Sequence, residues 1–161
     1  MLSRLLRGAA AGAAGTTALN AVTYLDMVVR ARPASSTPEK TVERTEELTG
    51  VTLSSDGPDS DAEQNRRSGL GALLGIATGL ATGAVYGLVR PYVGGRVAFP
   101  LLATRAGLAA NVGSVAPMAA LGVDDPRSWS ASSWLSDLLP HLAFGAVRAA
   151  VYERLTPLSR D

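Results

Sequence analysis

The chain has 161 residues, enough for one domain of ordinary size, and 47% of them are hydrophobic while aromatics supply only 5%, so a water-soluble core of large side chains would be thin. A formal net charge of +1, with no basic stripe interleaved with aromatics, argues against a nucleic-acid partner. Cysteine is absent, which excludes disulfides, thiolate metal sites and thiol nucleophiles.

Glycine, at 17 residues, is concentrated in the apolar stretches and not in the loops, as close helix packing in lipid favours. Lys40 is the single lysine among 15 basic residues, an arginine bias that fits a GC-rich bacterial genome. Charge then divides the chain into apolar blocks. The first, "GAAAGAAGTTALNAVTYL", lies between Arg7 and Asp26 and is near the ~20 residues that cross a bilayer. Arg4 and Arg7 precede it, but the run is only weakly apolar, so it reads as a span and not as a signal peptide.

Residues 31–68 are polar. In "SSTPEKTVERTEEL" Thr37 is the expected N-cap, Pro38 the first helical residue and Glu39 an acid in the first turn, with Gly50 as the stop. Val42 and Leu48 are nearly its only apolar side chains, so the helix should be solvated. "SSDGPDSDAEQN" after it reads as an acidic, turn-rich connection.

The second apolar block carries "GLGALLGIATGLATGAVYGLVR", with Gly71, Gly75, Gly79, Gly83 and Gly87 at every fourth position. A step of four residues turns ~400° on an α-helix, so these glycines form a ridge along which a second helix can lie with backbones in contact. Leu73, Ile76, Leu80 and Leu88 fall off that ridge and are expected to face lipid. Gly8 and Gly12, continued by Thr16 and Asn20, offer a matching row in the first block. An intrachain bundle is the expected use, and a homo-oligomeric seam or a glycine-lined pore through the same face is the alternative.

The third block, "AGLAANVGSVAPMAALGV", lies between Arg105 and Asp124 and repeats small residues at Gly107, Ala110, Gly113 and Ser114. Asp124, Asp125 and Pro126 read as a turn, and Trp129 and Trp134 as interfacial anchors. A fourth helix over Leu138 to Leu155 is interrupted by Pro140, His141 and Arg148, so it either spans or lies at the interface.

Polar residues at membrane depth are candidates for function: Asn20, Asp26, Arg105, Asn111, Asp137, His141 and Arg148. Asp137 and His141 are four apart and share a helical face, the geometry of a proton relay. With one histidine and no cysteine, no metal or other cofactor is expected. Nucleophile elbows and phosphate loops are missing, and the chain is not expected to be an enzyme.

The stretch "APMAALGVDDPRSWSASSWLSDLLPHLAFGAV", residues 116–147, resembles the closing region of the YagU-like family of bacterial inner-membrane proteins: a proline-containing helix, a short loop with aromatics, an acid and a Pro-His pair before a last helix. "ALNAVTYLDMVVRARPASSTP" is similar to the same family, while "STPEKTVER" and "RRSGLGALLGIATG" look like small actinobacterial membrane proteins. The resemblance implies an inner-membrane location, several spans and an indirect link to acid tolerance.

The expectation is therefore an all-α integral membrane bundle of about four helices with Gly/Ala packing faces. Residues 1–161 form one domain with 31–68 inserted, multi-pass in a bacterial cell membrane, and its partner is the lipid bilayer. Its expected role is that of a structural or interaction module. The alternatives are a small channel or transporter subunit using the intramembrane polar residues, and a membrane enzyme relying on Asp137 and His141.

Overall fold

The computed structural model describes residues 1–53, 60–93 and 97–156. Five helices are present and no strand is found among the described residues: α1 (Leu2–Arg30), α2 (Thr37–Thr49), α3 (Ser60–Val89), α4 (Phe99–Ala120) and α5 (Ala131–Leu155). Single 3-10 turns follow α3 at Arg90–Tyr92 and precede α5 at Pro126–Ser128.

The four long helices form an antiparallel row. α1 packs along α3 on one side and along α5 on the other, and α4 packs on the outer side of α5. Gly8 meets Gly87 and Gly83 while Gly12 meets Gly83 and Gly79, so α1 and α3 run in opposite directions. Gly107 of α4 meets His141 and Leu142, and Gly145 of α5 meets Gly107 and Ala103, which gives α4 and α5 the same antiparallel relation. α3 and α4, consecutive in the chain, do not pack along each other.

Helix ends depart from the sequence reading at the starts of α2, α4 and α5. Arg105 does not open α4: the helix begins at Phe99, with Pro100 in its first turn, where a missing N–H leaves no bond unmade. α5 begins at Ala131, before Leu138, because the Ser130 hydroxyl accepts from the Ser133 N–H at 3.1 Å as an N-cap. The cap of α2 is Ser36 and not Thr37, and the Ser35 hydroxyl accepts the Thr37 N–H at 3.2 Å. Gly50 ends α2 with φ 71°, as a left-handed C-cap requires. Of the acidic connection, residues 54–59 lie outside the described residues, and the remainder is the first turn of α3, with Asp61 and Glu63 toward its positive end.

One helix among the described residues, within Asp61–Tyr92, is long and apolar enough by length and composition to cross a membrane. α1, α4 and α5 are long enough at 29, 22 and 25 residues, but they do not reach that apolarity, carrying Asn20 and Asp26, Arg105 and Asn111, and Asp137, His141 and Arg148 respectively.

α2 docks on the N-terminal part of α3. Val42 is buried, Pro38 lies against Gly71, and Arg67 of α3 donates to Glu46 at 2.8 Å. The Arg44 Nε–H donates to the Leu121 carbonyl at 3.0 Å, tying α2 to the end of α4. The Leu53 N–H, first, and then Arg67 hold the Glu46 carboxyl below its ordinary value of 4.5. Since the folded value lies below the unfolded one, this contact stabilises docking above pH 4.5 and is lost as pH falls toward the folded value. A spin label at the exposed Thr45 should therefore gain mobility on acidification below that value. In Glu46→Gln the label should be mobile at neutral pH already, with a flatter pH response; an unchanged acid response in that variant would assign the effect to another carboxyl.

Candidate functional site

Side chains of high chemical capacity fall into three groups, all set on α1, α3, α4 and α5. At the end carrying α2, the Asp26 carboxylate accepts from Arg30 at 3.2 Å, from Arg32 at 2.5 Å and from the Ser136 hydroxyl at 3.0 Å. Arg30 donates in addition to Ser136 at 2.6 Å and to Ser132. Asp26 is thus consumed in fastening the C-terminal end of α1 to the first turns of α5. It acts as a structural clasp.

Deeper on the α4–α5 face, the buried Asn111 amide donates to the Asp137 carboxylate. His141 Nδ1 lies 2.7 Å from the Asp137 main-chain carbonyl and 3.7 Å from its carboxylate. A carbonyl only accepts, so Nδ1 is the donor in this contact. The structure brings Asn111, Asp137 and His141 together, as the four-residue spacing of the last two predicts. Asn20 joins none of these groups and makes no side-chain hydrogen bond among the described residues. No cluster of three metal-ligating side chains occurs among them either.

The third group is centred on Arg148, which is only 4% exposed. Its guanidinium stacks between the rings of Tyr86 and Phe144, 4.7 and 4.8 Å from their centroids. One Nη2–H donates to the Ala106 carbonyl at 2.7 Å, while Nε has no hydrogen-bond partner. The Tyr86 hydroxyl is also buried without a hydrogen bond, although Arg90 is near enough to act on it electrostatically. Tyr152 packs edge-on against Tyr86 and donates its hydroxyl to the Gly87 carbonyl at 2.8 Å. Arg105 is exposed one helical step from Ala106, with no hydrogen bond or ion pair among the described residues.

The predicted glycine ridge is split in its use. Gly79, Gly83 and Gly87 face Thr16, Gly12, Gly8 and Arg4 of α1; Gly71 faces Pro38 of α2; Gly75 faces open space. Sequence reasoning missed Gly15, which lies under the Phe144 ring, and the Gly107–Gly145 crossing of α4 and α5. Gly145 stands alone in its helix, so no periodic signal marks it. Asp124 and Asp125 form the expected turn, with Asp125 capping the 3-10 turn and Asp124 accepting the Trp129 indole N–H at 3.0 Å. Trp129 and Trp134 pack edge-on at 5.0 Å.

No family model matches the chain, and no curated protein or solved structure is significantly similar to it.

Proposed function

We propose that the chain is a multi-pass integral membrane bundle in which α1, α3, α4 and α5 cross the bilayer, and that it serves as a structural or interaction module. One observation carries this reading: the interior is built mainly of small residues, and most large apolar side chains lie outside. Among the described residues the buried set contains Ala11, Ala103, Ala106, Ala149 and nine glycines, with Leu102, Phe144 and Tyr152 the large apolar side chains buried in the long helices. Val28, Leu73, Val112 and Leu135, one from each long helix, are between 50% and 79% exposed. In water this arrangement forgoes the ~25 cal/mol per Å² that burial of those side chains would contribute. In lipid they are solvated, and association rests on backbone-close packing.

The end formed by the start of α1 and the ends of α3 and α5 carries Arg4, Arg7, Arg90 and Arg154, with Glu153 as its described acid. The other end carries α2, most acids and the basic residues Arg30, Arg32, Lys40, Arg44, Arg66, Arg67 and Arg127. We place the arginine end in the cytoplasm on its net positive charge, the count of basic residues alone giving it no advantage. In bacteria expressing the full chain, it should resist alkaline extraction from membranes. Thr45→Cys should react with an impermeant maleimide in intact cells, and Ser3→Cys only after lysis. Alkaline extraction into the soluble fraction would overturn the membrane reading; the reversed labelling pattern would overturn the orientation alone.

A further inference from the structure

α3 and α4 leave a gap between them, floored by α5. It holds a cavity of about 230 Å³ whose walls include Val89 on α3, Leu102 and Ala109 on α4 and Arg148 on α5, below the ~300 Å³ of typical drug-sized sites. Most of the lining is apolar, but three arginines reach it: Arg90, Arg105 and Arg148. Arg90 is paired with Glu153 at 2.7 Å. Arg105 and Arg148 have no carboxylate partner among the described residues. Arg148 begins seven residues before the end of α5 and Arg105 six residues after the start of α4, so at 1.5 Å per residue both stand about 10 Å inside the arginine end. A headgroup at that end of the bundle comes within reach of long arginine side chains at this depth.

We propose that this gap binds an anionic membrane amphiphile, its phosphate or carboxylate oxygens held by Arg105 and Arg148 and the start of its acyl chain lying on Val89, Leu102 and Ala109. The inference rests on the membrane reading above. A buried guanidinium needs more than one carbonyl and two ring faces: five N–H donors are available, and among the described residues Arg148 makes one hydrogen bond, from Nη2. The Tyr86 and Phe144 rings and the bond to the Ala106 carbonyl hold the guanidinium in place before a ligand arrives, so an anion there gains charge-assisted hydrogen bonds at low loss of side-chain freedom. A free anion would satisfy the charges but leave the apolar walls bare. An acyl chain covers both.

The test uses the purified full chain in a neutral detergent. Native mass spectrometry and thermal unfolding are followed with dioleoyl phosphatidylglycerol, with dioleoyl phosphatidylcholine, and with inorganic phosphate alone. The expected result is retention of one phosphatidylglycerol with a rise in Tm, at least tenfold weaker retention of phosphatidylcholine, and no rise with phosphate. Arg105→Gln should weaken phosphatidylglycerol retention about tenfold, and Ala109→Trp, which fills the cavity from an exposed position, should abolish it. Arg148→Gln should do the same, but the first two variants carry the test because neither residue holds the fold together. Equal retention of the two lipids, or parental retention by both Arg105→Gln and Ala109→Trp, would overturn the proposal. A rise in Tm with phosphate equal to that with phosphatidylglycerol would replace the amphiphile by a free anion. Alkaline extraction, scored separately, reports on the membrane reading and not on the site.

Discussion

Gly83→Ala should destabilise the bundle by about 3 kcal/mol, the upper range for overpacking of a tight contact, whereas Gly75→Ala, on the same helix and the same fourfold spacing, should be neutral or slightly stabilising. A methyl group on Gly83 would be driven into the Gly8 carbonyl and would lie 2.6 Å from the Gly12 Cα and 2.7 Å from its N. Those atoms are backbone and cannot rotate away, so α1 must move off α3 along its whole length. Gly75 has nothing within 4 Å of the same position, and there alanine only gains its helix propensity of about 1 kcal/mol. Gly79→Ala falls between them. Its methyl meets the Thr16 hydroxyl, which donates to the Gly12 carbonyl at 2.9 Å and can turn aside at the loss of that bond. Gly79→Leu is too large for this escape and should cost about 2 kcal/mol or more. Leu80→Val, at an outward position, should do little. Unfolding by titration with sodium dodecyl sulfate in mixed micelles ranks the series. A parent-like Gly83→Ala alongside an unstable Gly75→Ala or Leu80→Val would mean that α3 presents a different face to α1.

The contrast between Gly83 and Gly75 also marks what a sequence can convey. Fourfold spacing states that a ridge exists, because every residue in it is set by one helix's own geometry. It does not state how far the partner follows, and here α1 leaves the ridge after Gly79 while α2 covers Gly71. Helix type is legible from apolar blocks and small residues, yet α4 starts before Arg105 and α5 before Leu138, where the apolar blocks open. A charged side chain does not end a helix; it only needs a place to go. Arg148 finds its place against Tyr86, 62 positions earlier in the chain, and Ala106, 42 positions earlier. No local pattern encodes pairings of that range. By contrast, Asp137 and His141 were legible because both partners lie within one turn.

Gly145→Ala should detach α4 and leave the rest of the bundle in place, at a loss of about 2–3 kcal/mol. Its methyl would run into the Gly107 N, lie 2.5 Å from the Gly107 Cα and 2.7 Å from the Ala103 carbonyl oxygen. As at Gly83, every obstacle is backbone. The consequence differs because α5 is the one helix that α4 packs along among the described residues, so separation at this crossing is opposed only by weak contacts such as the Arg44 bond to the Leu121 carbonyl. The Asn111–Asp137 and Arg148–Ala106 bonds cross the same interface and should be lost with it. Cysteine is absent from the chain, which allows paired spin labels at exposed positions without background. A pair at Leu108 and Leu139 reports α4 against α5, and a pair at Leu6 and Val85 reports α1 against α3. In Gly145→Ala the first distance should broaden markedly while the second keeps the parental distribution. In Gly83→Ala the pattern should invert. Because the two glycines share no partner, the stability losses in the double variant should add to within about 0.5 kcal/mol. Broadening of both pairs in either single variant would show that the row of helices unfolds as one cooperative unit, with α1 and α5 transmitting the disturbance between the two crossings.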